Sequence, residues 1–105
     1  MTVRVYIKRY ETGRDVLVAV CDEELLGRRF TEGKLVLDVT KEFYGGRLIT
    51  IDEAIGELKE ATIANIVGKN IVKEALKEGL IHEEAILWVK EVPHAQIVKI
   101  RYPFS

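Results

Sequence analysis

The sequence predicts a single α+β domain: a mixed or mainly antiparallel sheet of five to six strands, with one or two central helices packed on one face. Three observations carry this. Period-two alternation opens the chain, helical spacings of three and four occupy its middle, and apolar strand-like runs return at its end. A length of 105 residues suits one domain over 1–105, and no linker, repeat or low-complexity stretch divides it.

Residues 2–10 alternate, with Val3, Val5 and Ile7 on one side and Arg4, Tyr6, Lys8 and Tyr10 on the other. That is the period of a half-buried strand. ETGRD then supplies a turn in which Gly13 is free to take positive φ. VLVAVC, residues 16–21, is apolar on both faces and reads as a central strand that closes an N-terminal hairpin. In DEELLGRRF, Asp22 is expected to cap a short helix and Gly27 to end it. KLVLDVT, 34–40, alternates again, with Leu35, Leu37 and Val39 inward. Gly45-Gly46 marks a turn before a short strand at 47–50.

Thr50-Ile51-Asp52-Glu53 has the form of a capping box, in which hydroxyl and carboxylate reciprocally satisfy free helix amides. Ile55, Leu58, Thr62 and Ile66 follow at helical spacing, so the helix is expected to run through them to Gly68. Asn70 would cap a second helix bearing Ile71, Val72, Ala75, Leu76 and Leu80. One long helix through Gly68 is the rival, because glycine inside a helix costs only about 1 kcal/mol. After Gly79 and the polar HEEA, ILWVKEV (86–92) and AQIVKIRY (95–102) read as strands. Pro93, lacking an N–H, is expected at a strand start or an edge.

Hydrophobic residues make up 48% and charged residues 31%, which describes a soluble globular chain, not a disordered one. No apolar run reaches the roughly 20 residues of a membrane span, and TVRVYIKRYE lacks the core of a signal peptide. A lone cysteine, Cys21, makes no internal disulfide, so a reducing cytoplasm is the expectation. A net charge of −1 argues against a strongly electrostatic nucleic-acid binder while leaving room for a local basic face. Asparagine occurs only at 65 and 70, glutamine only at 96, and serine only at 105. Scarce amides beside abundant Lys, Arg and Glu suggest a thermophile. They also make the surviving amides, in ANIVGKN and PHAQ, candidates for a specific task.

The catalytic options are few. Serine catalysis is left with Ser105 alone. Gly68-Lys69-Asn70 resembles the tail of a phosphate-binding loop, but its upstream glycine and hydroxyl residue are missing. Cys21, His82 and His94 show no metal-ligand spacing, so no metal and no cofactor is expected. Cys21 beside a histidine would make a thiolate nucleophile, against the plainer reading of a small buried hydrophobe. His94 and Gln96 share a strand face, and Asn65 and Lys69 would share a helix face. Together the four form a candidate pocket for an anion or an amide edge. The alternating Arg4, Tyr6, Lys8, Tyr10 face, with Arg101 and Tyr102, would suit RNA contact by stacking. The plainer reading is a solvated sheet face with aromatic cross-strand pairs.

VYIKRYE, VLVAVCDEELLG, FYGG, ATIANIVGK and VPHAQIV together resemble a conserved family of small archaeal proteins classed as a domain of unknown function. The resemblance covers nearly the whole chain. It implies an archaeal source and a single α/β domain, and it carries no activity, substrate or catalytic residue. From the candidate polar pocket, the functional expectation is a non-catalytic binding module associated with RNA or the translation machinery, with RNA or ribosome-associated proteins as its partners. The alternatives are a small enzyme using Cys21 or His94, and a homodimer formed through exposed strand edges.

Overall fold

The opening alternation becomes β1, Arg4–Thr12, in the computed structural model, which describes residues 2–99. It forms an antiparallel hairpin with β2, Asp15–Asp22, paired from Thr12↔Asp15 to Val5↔Asp22. A 3-10 turn at Glu23–Leu25 leads to a separate two-stranded flap, β3 (Arg29–Glu32) and β4 (Leu35–Asp38). A one-turn helix, α1 (Lys41–Tyr44), is capped by Thr40, whose hydroxyl accepts the Phe43 N–H. β5, Arg47–Thr50, returns to the outer side of β1. The remaining elements are α2 (Ile51–Glu60), β6 (Ile63–Val67), α3 (Lys69–Lys77), a second 3-10 turn at Glu83–Ala85, β7 (Leu87–Val89) and β8 (Val92–Val98).

The main sheet is mixed and six-stranded, in the order β5-β1-β2-β6-β8-β7. β2 and β6 are parallel, and the other neighbours are antiparallel. One face is covered by α2 and α3. Val5, Ile7, Val18, Val20, Ala64, Ile66, Ala95 and Ile97 meet Ala54, Ile55, Leu58, Ile71, Val72 and Ala75 there. Each Leu or Ile so buried contributes about 1.5–3 kcal/mol. The second face is covered over one part only. The flap and α1 close Leu25, Leu37, Val39 and Tyr44 over Ala19, Cys21, Val67 and Val89. Among the described residues no helix is long and apolar enough to cross a membrane.

The capping box forms as expected, with Thr50 and Glu53 each accepting from the other's backbone N–H. The long helical reading of 51–66 does not hold. α2 stops at Glu60, and Ile63, Asn65 and Ile66 lie in β6 between β2 and β8. A run rich in β-branched residues packs better on a pleated surface than in a helix. Thr62 starts the strand: its hydroxyl accepts the Val16 N–H at 2.9 Å and bonds the Asp15 carboxylate at 3.1 Å. Lys99 closes the helix end, its ammonium donating to the carbonyls of Leu58 and Lys59.

Two capping expectations are also revised. Asp22 makes no cap on the 3-10 turn beside it. Its buried carboxylate instead accepts the Asn70 N–H at 2.8 Å and the Ile71 N–H at 3.0 Å, capping α3 from across the sheet. Asn70 is not the N-cap, because Gly68 holds that position at φ 121°, ψ 151°. A Cβ on Gly68 would collide with the Asp22 side chain. In β4, Leu35 is exposed while Leu37 and the following Val39 are buried.

Pro93 lies within β8, a strand flanked on both sides, and its tolerance has a local cause. Gly68 N–H donates to the Pro93 carbonyl at 2.9 Å, but the Gly68 carbonyl accepts from Val72 N–H at 3.0 Å, inside α3. The acceptor that a residue-93 N–H would have met is already taken, so proline loses nothing there. Beyond His94 the outer side of β8 has no strand partner among the described residues, and neither does β1 beyond Ile7. Lys99 N–H points to β6, so by alternation Gln96 and Val98 turn their backbone polar groups to that open side. The expected continuation to 102, with Arg101 and Tyr102, lies outside the described residues.

Gly68→Ala is expected to cost about 3 kcal/mol or more through collision and positive φ. Gly13→Ala, in open space at φ 55°, should cost no more than about 1–2 kcal/mol. Urea unfolding midpoints of the two variants measure the contrast, and equal losses would refute it.

Candidate functional site

β6 and β8 bring two of the three amides into direct contact. Asn65 and Gln96 are register partners, and Gln96 Nε2 donates to Asn65 Oδ1 at 3.0 Å. Their side chains stand on the face opposite α2 and α3, beyond the cover of the flap. Leu17 and Ile63 are half-buried beside them, and Val98 is 65% exposed. Each side-chain amide can make up to four hydrogen bonds. The bond between them leaves both Asn65 N–H donors and the Gln96 carbonyl oxygen available.

His94 continues this patch. It pairs with Val67 on one side and Leu87 on the other, and with Ala85, Leu87, Ala95 and Gln96 it lines a shallow depression. Burial lowers its pKa, so at neutral pH the ring is uncharged. It then offers one donor and one acceptor. Asn65, His94 and Gln96 are thus brought together, and Lys69 is not. The expected helix would have carried Lys69 one turn past Asn65. Strand, turn and helix instead set it at the start of α3, at the end of the sheet.

Arg4, Tyr6, Lys8 and Tyr10 do share a face, but three of them are engaged internally. The Lys8 ammonium donates to the Glu42 carbonyl at 2.7 Å, and the Tyr10 hydroxyl to the Phe43 carbonyl at 2.8 Å. The Tyr10 ring stacks on Phe43 at 5.6 Å, and Tyr6 packs against the flap core. These side chains hold α1 down, so the tyrosine rings do not stand free for stacking. Arg4 is exposed at the strand start.

Cys21 is buried, and its thiol is pushed up to about 12, chiefly by burial and then by the charges of Asp22 and Glu24. At neutral pH it stays protonated, so it lacks the thiolate a nucleophile needs. Val67 stands between Cys21 and His94 in the register. Two strand spacings separate their backbones by roughly 10 Å, which removes the Cys–His pairing required of a thiol enzyme. Among the described residues no three His, Cys, Asp or Glu side chains gather as metal ligands.

A cleft of about 400 Å³ lies where the parallel strands β2 and β6 end and α3 begins. Asp22, Glu24, Arg28, Phe30, Lys69, Asn70, Lys90 and Glu91 line it, with Leu25, Val92 and Pro93 as apolar surface. Crevices at the carboxyl ends of parallel strands are common ligand sites. The cleft is not legible in the sequence, where Asp22 reads as a local cap and 86–92 as one unbroken strand. The chain instead turns at Lys90-Glu91, both with positive φ, 49° and 65°. Such two-residue hairpin turns favour Asn-Gly, and each non-glycine residue there costs roughly 1–2 kcal/mol. Glu32 steadies the turn by accepting the Lys90 N–H at 2.9 Å. The legible signal was a polar pair between Val89 and Val92, which face each other across it.

Fold and site together define a small α+β domain with its two longer helices on one sheet face and with polar depressions that include the amide patch and the cleft beside α3. The chain belongs to the family described as a protein of unknown function (DUF424), which matches residues 10–100. Its structure is similar to that of an uncharacterized conserved protein from Methanopyrus kandleri, with a TM-score of 0.81 and 29% identity over 97% of each chain. No curated protein matches the sequence.

The Cys21 thiol of the native protein is expected to react with iodoacetamide at neutral pH at least about a hundredfold more slowly than that of the unfolded chain. Comparable rates would show a reactive thiol. Asp22 gives a pH signature. Its pKa is raised, first by burial, against the two amide hydrogen bonds. The folded state therefore favours the protonated form. The stability from this group is full below the ordinary carboxylate range and is lost as pH rises through the raised value. The difference in unfolding free energy between wild type and Asp22→Asn should shrink from acid to neutral pH, and a difference growing with pH would reverse the sign.

Proposed function

We propose that this chain is a non-catalytic binding module of the archaeal cytoplasm that recognises single-stranded RNA, in association with the translation machinery. The observation that carries the reading is the Asn65–Gln96 amide pair on the uncovered part of the sheet. The donors left on Asn65 and the acceptor left on Gln96 match the hydrogen-bonding edge of a nucleobase, the feature read in unstacked RNA. The neutral His94 adds another donor and acceptor, and Leu17, Ile63 and Val98 offer apolar contact to a base. The protonated Cys21 argues against a thiol enzyme. A net charge of −1 implies modest affinity that weakens as salt rises.

Fluorescence anisotropy with a labelled single-stranded RNA at low salt tests this. Asn65→Ala and Gln96→Ala are each expected to weaken binding about five- to tenfold, the worth of a hydrogen bond. Lys8→Ala should weaken it less, because that ammonium is held by the Glu42 carbonyl. Absence of RNA binding, or binding indifferent to both amide variants, would overturn the reading.

A further inference from the structure

We propose that the cleft at the carboxyl ends of β2 and β6 is a second binding site, separate from the amide patch, for a nucleoside monophosphate. Three cations from three segments meet there: Arg28 before β3, Lys69 at the start of α3, and Lys90 in the β7–β8 turn. All three are exposed, and none forms an ion pair among the described residues. The α3 amides of Asn70 and Ile71 are already occupied by Asp22. An anion in the cleft is therefore held by these side chains and not by the helix end.

The same cleft presents Glu24 and Glu91, so a simple anion fits poorly. The occupant that matches is anionic at one end and rich in donors at the other. A nucleotide has this character: phosphate for the lysines, and ribose hydroxyls and a base amine for the carboxylates. The Arg28 guanidinium, held over the Phe30 ring at 5.0 Å from its centre, supplies a planar surface on which a base stacks. The volume of about 400 Å³ lies within the range of small-ligand pockets.

The strained turn points the same way. Lys90 and Glu91 occupy two consecutive positive-φ positions, where glycine would relieve the backbone but bring neither charge to the cleft. Strain retained at a cleft mouth marks a functional position.

Titration calorimetry with adenosine monophosphate, adenosine and inorganic phosphate tests this. Adenosine monophosphate is expected to bind, with adenosine and phosphate each at least about tenfold weaker. Lys90→Gly should reduce nucleotide binding at least about fivefold without lowering the unfolding midpoint, because it relieves the turn as it removes the cation. Lys69→Ala should reduce binding similarly, and Asn65→Ala should leave it unchanged, which separates this site from the RNA-binding patch. No detectable binding of the nucleotide overturns the proposal. So does phosphate binding as tightly as the nucleotide, or full affinity in both lysine variants.

Discussion

Two backbone amides at the start of α3 donate to a carboxylate 48 and 49 residues away, and much of the molecule is arranged around that contact. Asp22 ends β2, Gly68 follows β6, and the two strands run parallel so that both ends arrive together. The carboxylate fits only because Gly68 has no side chain. Glycine is also the residue that reaches φ 121° without strain. The helix gains a cap worth on the order of 1 kcal/mol. The carboxylate gains two donors against the cost of its burial, a cost visible in its raised pKa. The effect continues into β8. Because the Gly68 carbonyl belongs to α3, the facing position on β8 needs no N–H, and Pro93 occupies it.

The second face of the sheet shows a different constraint. A mixed sheet with helices on one side leaves its other side to be covered or solvated. Here the cover is small: a two-stranded flap and a one-turn helix, fastened by Lys8, Tyr10 and Phe43. Apolar residues such as Ala19, Cys21 and Val67 are placed where the cover reaches. Where it does not, Asn65 and Gln96 satisfy part of each other's hydrogen bonding and keep further donors and acceptors on the uncovered face. The engagement of Lys8 and Tyr10 as fasteners is why the basic and aromatic strand face is no free platform.

Much of this was legible in the sequence, and what was missed has physical causes. β1 and β2 follow from alternation and continuous apolarity, and the Thr50–Glu53 capping box is a purely local device. The meeting of Asn65 with the PHAQ stretch followed from amide scarcity, but through the wrong element. Ile55, Leu58, Thr62 and Ile66 satisfy a helical period as well as they fill a turn and a strand. Only the presence of β2 and β8 on either side decides between them. Asp22 illustrates the same limit. A carboxylate preceding DEELLG reads as a local cap, and the preference for α3 depends on a parallel pairing that no local window contains. The Lys90-Glu91 turn lacks the glycine or asparagine by which such turns are recognised.

Apolar side chains stand between the cleft and the Asn65–Gln96 pair along β6, while on β8 His94 directly follows Pro93 of the cleft. Between the α3 end of the sheet and the amide patch lie Cys21, Val67 and Val89, all buried in the flap core. Val67 is flanked by Cys21 on one side and His94 on the other. Changes at Lys69 or Lys90 should therefore add to changes at Asn65 or Gln96 without coupling, as for sites that share no partner. Cys21 then has a plain structural reason to be present. It is small, apolar and protonated beside Val67 in the flap core, where a larger residue would lift the flap.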